Sequence, residues 1–330
     1  MYSQSFVEED FGQYHFLITG GAGFIGSNLV EYLSKYGAKK ISILDNLSTG
    51  FRENLKDFLV PGKVELLVGD ITNPADCAGA CQGVDYVLHQ AALGSVPRSV
   101  LNPQATHQAN INGFLNMLMA ARDAGVKRFV YASSSSVYGD SKELPKFEKN
   151  IGNPLSPYAV TKYVNELYAY VFTHTYGMPC IGLRYFNIFG PRQNPQGEYA
   201  AAIPLFMDAL LGEKNAFING DGEQSRDFTF VENAVQANIR ALFTQNTAAF
   251  GKVLNIACGE RITINELFEI LRQKTQSAVK PTYREARSGD IRDSLADISL
   301  ANELIGYAPQ TKVKQGLEIT VEWFKKTYYS

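Results

Sequence analysis

Short apolar runs alternate with amphipathic helical patterns along the first part of this chain. His15–Thr19 is an almost unbroken apolar run and predicts a buried strand. Phe24–Tyr36 follows with Ile25, Leu29 and Leu33 at helical spacing. Further strand patterns lie at Lys40–Leu44, which ends on Asp45, and at Val64–Val68, which ends on Asp70. Others follow at Val84–Leu88, Arg128–Ala132 and Cys180–Tyr185. Helical patterns at Pro74–Cys81, Gln104–Ala124 and Tyr158–Tyr176 separate them. Strands alternating with helices of this length predict a parallel sheet covered on both faces.

The texture changes after Asn187. Gly190–Tyr199 is rich in Gly, Pro, Gln and Asn and reads as a loop. Ala200–Leu211 reads as a helix, Ala216–Ile218 as a short strand, and Val231–Phe243 as another helix. Val253–Ile256 predicts a late strand and Ile264–Gln273 a helix. The segments beyond Asn187 are expected to form a smaller lobe over the carboxyl ends of the strands, where open α/β sheets bind ligands. No internal repeat, low-complexity tract or linker interrupts the chain.

The 330 residues suffice for a large core and two lobes. At 45% apolar, 19% charged and a net charge of −2, the composition is that of a soluble enzyme. Near-neutrality argues against a nucleic-acid partner. No run of eighteen apolar residues predicts a membrane span. Met1–Gln13 is acidic, with no apolar stretch before Phe16, and predicts a short arm or partly ordered helix rather than a signal peptide. Cys77, Cys81, Cys180 and Cys258 read as small buried side chains in a reduced, cytoplasmic setting, and no zinc set is expected.

Gly21-Ala22-Gly23-Phe24-Ile25-Gly26 fits a dinucleotide-binding turn, and the register Gly20/Gly23/Gly26 fits as well. Glycine permits the tight turn and a close approach to a pyrophosphate, and the following helix offers unpaired N–H groups to that anion. Asp45 closes the second strand nineteen residues after Gly26. A carboxylate there accepts from the adenosine ribose hydroxyls and repels a 2′-phosphate, which predicts NAD over NADP. Asn46, Ser48, Thr49 and Gly50 continue that loop, and Asp70-Ile71 is expected to flank the adenine, unless Asp70 is only a cap. The fold expected is therefore α/β: a Rossmann-like doubly wound parallel sheet, residues 1–187 with returning segments about 225–258, and a smaller C-terminal substrate-binding lobe, mainly 188–330.

Tyr158 and Lys162 stand four apart, on one face of a helix whose start is marked by Ser156-Pro157. An ammonium beside a phenol favours phenolate, so Lys162 is expected to lower the pKa of Tyr158 and fit it as a general base. The serine run Ser133–Ser136 lies upstream.

Here the chain resembles the extended short-chain dehydrogenase/reductase superfamily over essentially its whole length. Within it, the chain resembles the UDP-hexose 4-epimerases, and most closely the bacterial UDP-N-acetylglucosamine 4-epimerases of surface-polysaccharide (O-antigen) pathways. His89-Gln90-Ala91-Ala92-Leu93-Gly94-Ser95-Val96-Pro97-Arg98-Ser99 carries that match, with Leu155–Tyr168, Arg184-Tyr185-Phe186-Asn187 and Ile218-Asn219-Gly220-Asp221-Gly222-Glu223. The resemblance implies that Ser134, Tyr158 and Lys162 are catalytic, with Ser134 on the sugar 4-hydroxyl. It implies cofactor contacts from Phe24, Ile25, Gln90, Ala91, Ala92, Asn110 and Phe186. Ser95, Ser135, Ser136 and Asn187 would line the sugar pocket, where Gly94 and Ala201-Ala202 are small. Ala216, Phe217 and Ile218 would bind uracil through the backbone. Arg226 and Arg287 would grip the diphosphate, their planar forks suiting its oxygens, and Asp290 the uridine ribose. Related 4,6-dehydratases carry an Asp-Glu pair where this chain has Ser135-Ser136, which favours epimerisation. Epimerases restricted to plain hexoses carry a tyrosine where this chain has Ser294; a small residue there leaves room for a 2-acetamido group.

The resemblance thus implies reversible C4 inversion of UDP-GlcNAc and UDP-GalNAc, possible also for UDP-Glc and UDP-Gal, with tightly bound NAD. A homodimer through Gln104–Ala124 and Tyr158–Tyr176 is expected, although Leu115, Met119 and Tyr168 fit an intramolecular core equally well. A UDP-glucuronate (or UDP-N-acetylglucosaminuronate) 4-epimerase, or a UDP-glucuronate decarboxylase, of the same superfamily is the nearest alternative, with Arg98 as a cation for the C6 carboxylate. A net oxidoreductase and a catalytically dead binding protein are the others.

Overall fold

The computed structural model describes residues 1–195, 201–285 and 292–329. Its centre is a parallel seven-stranded sheet. The strands are β1 (His15–Thr19), β2 (Lys40–Asp45), β3 (Val64–Val68), β4 (Tyr86–His89), β5 (Arg128–Ser134), β6 (Cys180–Tyr185) and a late strand, Val253–Ile256. Their order, from the late strand, is late-β6-β5-β4-β1-β2-β3. The order reverses beside β1, where α/β sheets open a crevice for ligands. Central strands are buried on both faces, which is why β1 and β6 read as near-continuous apolar runs.

Helices α1 (Phe24–Lys35), α2 (Pro74–Ala80), α3 (Val96–Leu101), α4 (Pro103–His107), α5 (Gly113–Asp123) and α6 (Pro157–Tyr176) connect the strands. One face of the sheet packs on α1 and on a helix that arrives much later, α8 (Val231–Phe243). The other face packs on α2, α5 and α6 through Phe114, Met117, Leu118 and Phe172. The single helix expected over Gln104–Ala124 is a run from α4 to α5 broken by a π turn, Gln108–Asn112. A π turn adds a residue to the helical repeat and re-aims side chains. Here it carries Asn110, whose amide clasps Leu93: Oδ1 accepts from Leu93 N at 2.8 Å and Nδ2 donates to Leu93 O at 3.2 Å.

The chain then leaves the sheet for a second core around Phe189, Phe206, Ile218, Phe230, Leu267 and Phe324. Paired short strands build it: β7 (Ile188–Phe189) with β10 (Thr229–Phe230), β8 (Ala216–Asn219) with β13 (Pro281–Arg284), and β9 (Ser225–Arg226) with β12 (Ile262–Thr263). The late strand of the central sheet is β11. Helices α7 (Ala202–Leu211) and α9 (Ile264–Thr275) cover the second core. Two helices beyond the sequence expectations complete the chain: α10 (Ser299–Ile305) packs on the first core and α11 (Val313–Tyr328) on the second.

The N-terminal arm is packed rather than loose. Phe6 stacks on Tyr32 with centroids 4.9 Å apart, the Tyr2 ring meets Tyr32 edge-on, and Tyr2 N donates to Glu232 Oε1 at 2.6 Å. Among the described residues, no helix is long and apolar enough to cross a membrane, and no cluster of His, Cys, Asp or Glu suits a metal ion.

Candidate active site

The glycine turn joins β1 to α1. Gly20 has φ 67°, and a Cβ there would lie 2.7 Å from Ala91 N. A Cβ on Gly26 would lie 2.2 Å from Gly20 O. Side chains are therefore excluded by the chain's own backbone at Gly20 and Gly26, a Cβ on Gly23 would make a tight 3.1 Å contact with Gly20 O, and Gly23 is the N-cap of α1 with no side chain to block its first turn. Asp45 does more than the sequence indicates. Its Oδ2 accepts from Ala22 N at 2.9 Å and its Oδ1 from Leu47 N at 2.8 Å, so one buried carboxylate holds both the turn and the loop after β2.

Around that turn, Gly50 packs so closely that a Cβ would lie 2.8 Å from the Ala22 carbonyl carbon. Asn46 donates to Asp70 Oδ2 at 2.7 Å and accepts from Ser48 N, while Ser48 and Thr49 are exposed. Asp70 also accepts from Thr72 N and Oγ1, which closes a turn after β3 rather than capping a helix, since Asn73 caps α2; burial raises its pKa, but these hydrogen bonds outweigh it and leave the carboxyl below its ordinary value. Ile71 packs beneath Gly113. Gln90, Ala91 and Ala92 leave the end of β4, and Gln90 is fixed in a ring with Asn238 and Tyr185. Phe186 is buried against Tyr138. The cradle of glycines ending at a helix N-terminus, with Asp45 beside it, fits a dinucleotide: Phe24 and Ile25 lie in the first turn of α1, where N–H groups lack helical partners.

Ser134 ends β5. Its Oγ accepts from Ser136 N at 3.1 Å and so caps the short 3-10 turn Ser135–Tyr138. Tyr158 and Lys162 leave α6, whose start is capped by Ser156, Oγ accepting from Ala159 N at 3.1 Å. Lys162 is buried, and its Nζ donates to Ala132 O at 2.8 Å. Burial pushes the Lys162 ammonium down to about 8, against the pull of Glu166. The expectation for Tyr158 needs correction. Burial raises its phenol above the ordinary value, and the Ser134 hydroxyl, as a hydrogen-bond partner, pulls the other way. The Lys162 Nζ lies 5.9 Å from the Tyr158 ring centroid and is aimed at Ala132 O, so it does not overcome the loss of water around the phenol.

A buried ion pair braces these groups. Glu166, one turn beyond Lys162, accepts from Arg184 Nε at 2.9 Å, from Arg184 Nη2 at 2.7 Å and from Ser133 Oγ at 2.5 Å. Both side chains of the pair are about 5% exposed or less. Arg184 also donates to Glu148 O and lies over the Tyr138 ring. Burial opposes its charge, but Glu166 more than offsets this and leaves the guanidinium above its ordinary pKa.

Ser134, Ser135, Ser136 and Tyr158 open onto a cavity of about 1150 Å³. Ser95, Asn187, Ala201 and Ala202 line it too. So do Ala216, Phe217 and Ile218 on β8, with Arg226 and Ser294. Ser95 and Asn187 have φ of 109° and 39°, so two residues of the cavity wall carry backbone strain. Gly94 is exposed, is not among the described lining residues, and a Cβ on it would meet nothing within 4 Å. Arg98 is likewise not among them. Arg287 and Asp290 lie outside the described residues. Sequence reasoning missed Gln193, Gln224, Lys214 and Arg284 in the lining. The Oε1 atoms of Gln193 and Gln224, like Ser136 Oγ, are buried with no hydrogen-bond partner among the described residues. Unsatisfied buried acceptors at a cavity wall are suited to ligand donors. No spacing rule flags a lone glutamine, so only the folded geometry finds these.

The profile of the NAD dependent epimerase/dehydratase family matches residues 16–257. A UDP-glucose 4-epimerase of Mycolicibacterium smegmatis is 36% identical over 312 residues, covering 94% of this chain and 98% of its own. Among solved structures, a UDP-N-acetylglucosamine 4-epimerase from Methanobrevibacter ruminantium M1, in complex with UDP-N-acetylmuramic acid, is 40% identical with a TM-score of 0.88 over 95% of this chain and 98% of that one. A UDP-glucuronic acid 4-epimerase from Bacillus cereus, in complex with UDP-glucuronic acid and NAD, is 30% identical with a TM-score of 0.88 over 95% of this chain and all of that one, 100%.

The ion pair yields a direct prediction. Arg184→Met strands Glu166 without its counter-charge and is expected to cost about 3–5 kcal/mol in urea unfolding. The double variant Arg184→Met/Glu166→Gln is expected to recover most of that loss; equal destabilisation of single and double variants would show that the pair is not the source.

Proposed function

The chain belongs to the NAD dependent epimerase/dehydratase family, its cofactor is NAD, and we propose that it is a UDP-sugar 4-epimerase whose substrates are UDP-GlcNAc and UDP-GalNAc. One observation carries the reading: Ser134 and Tyr158 open into the same cavity as Arg226 and as the small residues Ala201, Ala202 and Ser294. Proton-transfer groups, a guanidinium for phosphate, and space for an acyl substituent therefore share one chamber.

Bound NAD supplies the two-electron oxidation and re-reduction of sugar C4. Tyr158 takes the proton of the 4-hydroxyl, with the Ser134 hydroxyl holding that oxygen. Burial resists the Tyr158 phenolate and the Ser134 hydroxyl supports it; a positive charge brought beside the phenol by an oxidised cofactor would favour it further. Gly20, Gly23 and Gly26 would admit the pyrophosphate of the cofactor to the start of α1, and Asp45, which holds that turn, would accept from its adenosine ribose. Arg226, with Arg287, holds the UDP while the 4-keto sugar presents its other face; Tyr158 then returns the proton. β8 offers backbone groups to uracil, and Asn187 and Ser136 face the hexose. The glucuronate reading would need a cation for a carboxylate; Arg98, the candidate for it, is not among the described lining residues, and the lining cations Lys214 and Arg284 are engaged by Asp208 and by the Phe217 ring.

A second copy of the chain is proposed as partner. Val160, Leu167 and Val171 form an exposed apolar stripe along α6, flanked by Tyr170 and by Met119 of α5, whereas Leu115 and Tyr168 pack inward.

Wild-type protein is expected to interconvert UDP-GlcNAc and UDP-GalNAc without NADH accumulating, and Tyr158→Phe to lose at least about 10²-fold in kcat while retaining NAD; half-normal turnover would remove Tyr158 from the base role. Ser294→Tyr is expected to abolish turnover of the acetylated pair and spare UDP-Glc and UDP-Gal, because a phenol fills the acetamido space. Survival of UDP-GlcNAc turnover in that variant would overturn the steric account. Leu167→Arg/Val171→Arg is expected to convert a dimer into a monomer by light scattering, and a monomeric wild type would sink the dimer.

A further inference from the structure

The sequence Ser225-Arg226-Asp227-Phe228 contains a carboxylate with no solvent exposure, and neither the cofactor cradle nor the proton-transfer set uses it. Burying a carboxyl is costly unless its oxygens find donors. Among the described residues, the side-chain partners of Asp227 are backbone amides. Oδ1 accepts from Cys258 N at 3.0 Å; Oδ2 accepts from Gly259 N at 3.1 Å and from Ala296 N at 3.3 Å. Those amides belong to two remote segments, the exit of β11 and the chain at 292–296.

The second segment is the one that carries Ser294. It runs beside β9 and is fastened at its other end as well. Ser225 N donates to Arg292 O at 3.0 Å, Ser225 Oγ to Asp293 Oδ1 at 2.5 Å, and Ser294 N to Ser225 O at 3.1 Å. Arg226 Nη1 donates to Ser225 O and to Arg292 O, each at 2.9 Å. The backbone carbonyl of Asp227 in turn accepts from Asn187 Nδ2 at 3.0 Å. Arg226, Ser294 and Asn187 all line the cavity; Asp227 does not, yet it touches or flanks the anchorage of each.

We propose that Asp227 is a positioning residue: by gathering the amides of Cys258, Gly259 and Ala296 it fixes Arg226 and Ser294 in one frame, and so couples the grip on the nucleotide to the depth of the sugar pocket. The proposal rests on the nucleotide-sugar reading of the cavity. A carboxylate suits the role because its two oxygens accept several amides at once from different directions. An isosteric amide keeps the shape but turns one acceptor into a donor that faces an N–H.

The test measures UDP binding by calorimetry, because UDP engages the proposed grip whichever sugar is the substrate. Asp227→Asn is expected to retain NAD and to weaken UDP about tenfold, the loss of one charge-assisted hydrogen bond. With UDP-GlcNAc, KM is expected to rise by about the same factor while kcat stays within about twofold. In an Arg226→Ala background, Asp227→Asn is expected to change UDP affinity by less than about twofold, since the two act through one contact. Unchanged UDP affinity in the folded single variant, or a full tenfold loss that persists without Arg226, would overturn the proposal. Failure of the wild-type protein to bind UDP would instead overturn the nucleotide-sugar reading. Should Asp227→Asn not fold, Asp227→Ser keeps one acceptor oxygen at the same backbone position, and the same outcomes decide.

Discussion

The Glu166–Arg184 ion pair is the constraint on which the geometry of the site depends. Ser134, Tyr158 and Asn187 belong to the ends of β5, α6 and β6, three elements with no chain continuity at the site. One carboxylate joins all three: Glu166 is on α6, Arg184 on β6, and Ser133, which donates to the same carboxylate, is the neighbour of Ser134 on β5. The elements that carry the serine hydroxyl and the tyrosine phenol are thereby held together beneath the direct contact between those two groups. Removing two charges from water is costly, and pairing them repays that cost only with good geometry. Here the forked guanidinium and the extra serine donor supply it. The gain is a fixed relation among elements rather than net stability.

Burial acts on Tyr158 and Lys162 in a consistent direction. It brings the Lys162 ammonium down to about 8 and holds the Tyr158 phenol up. Both shifts disfavour charge, as a dry pocket does. Such a pocket leaves the tyrosine a weak base until further positive charge arrives beside it, and it strengthens every electrostatic interaction once made. The nearby His89 is part of the same dry region. Burial pushes it down to about 3, with a further push from Lys162, and it stays a neutral partner of Thr19. The site is thus poised by desolvation and completed by its ligands.

Much of this was legible in the sequence because parallel strands must be apolar on both faces. β1, β3 and β6 read directly from their runs, and the Gly20/Gly23/Gly26 register only lacked the steric proof that its backbones touch. What remained hidden shares one property, dependence on pairs far apart in the chain. Asp45 bonds the glycine turn through Ala22, Glu166 finds Arg184 across two elements, and Asp227 reaches Cys258 and Ala296. No local spacing announces such contacts. The π turn at Asn110 is hidden for a different reason: its residues have ordinary helical propensity, and only the demand of the Leu93 backbone re-aims them. The C-terminal helix is the opposite case. Val313, Leu317, Val321 and Phe324 form a regular apolar stripe that sequence periodicity alone can find.

The central proposal is that sugar C4 is oxidised and re-reduced within one cavity, with Tyr158 handling the proton. The most direct measurement follows a deuterium placed at C4 of UDP-GlcNAc, with conversion run in ordinary water and the product examined by mass spectrometry and NMR. The account predicts UDP-GalNAc that keeps the label at C4, because the atom leaves that carbon and returns to it without meeting solvent. Loss of the label to water, at a rate matching product formation, would contradict it.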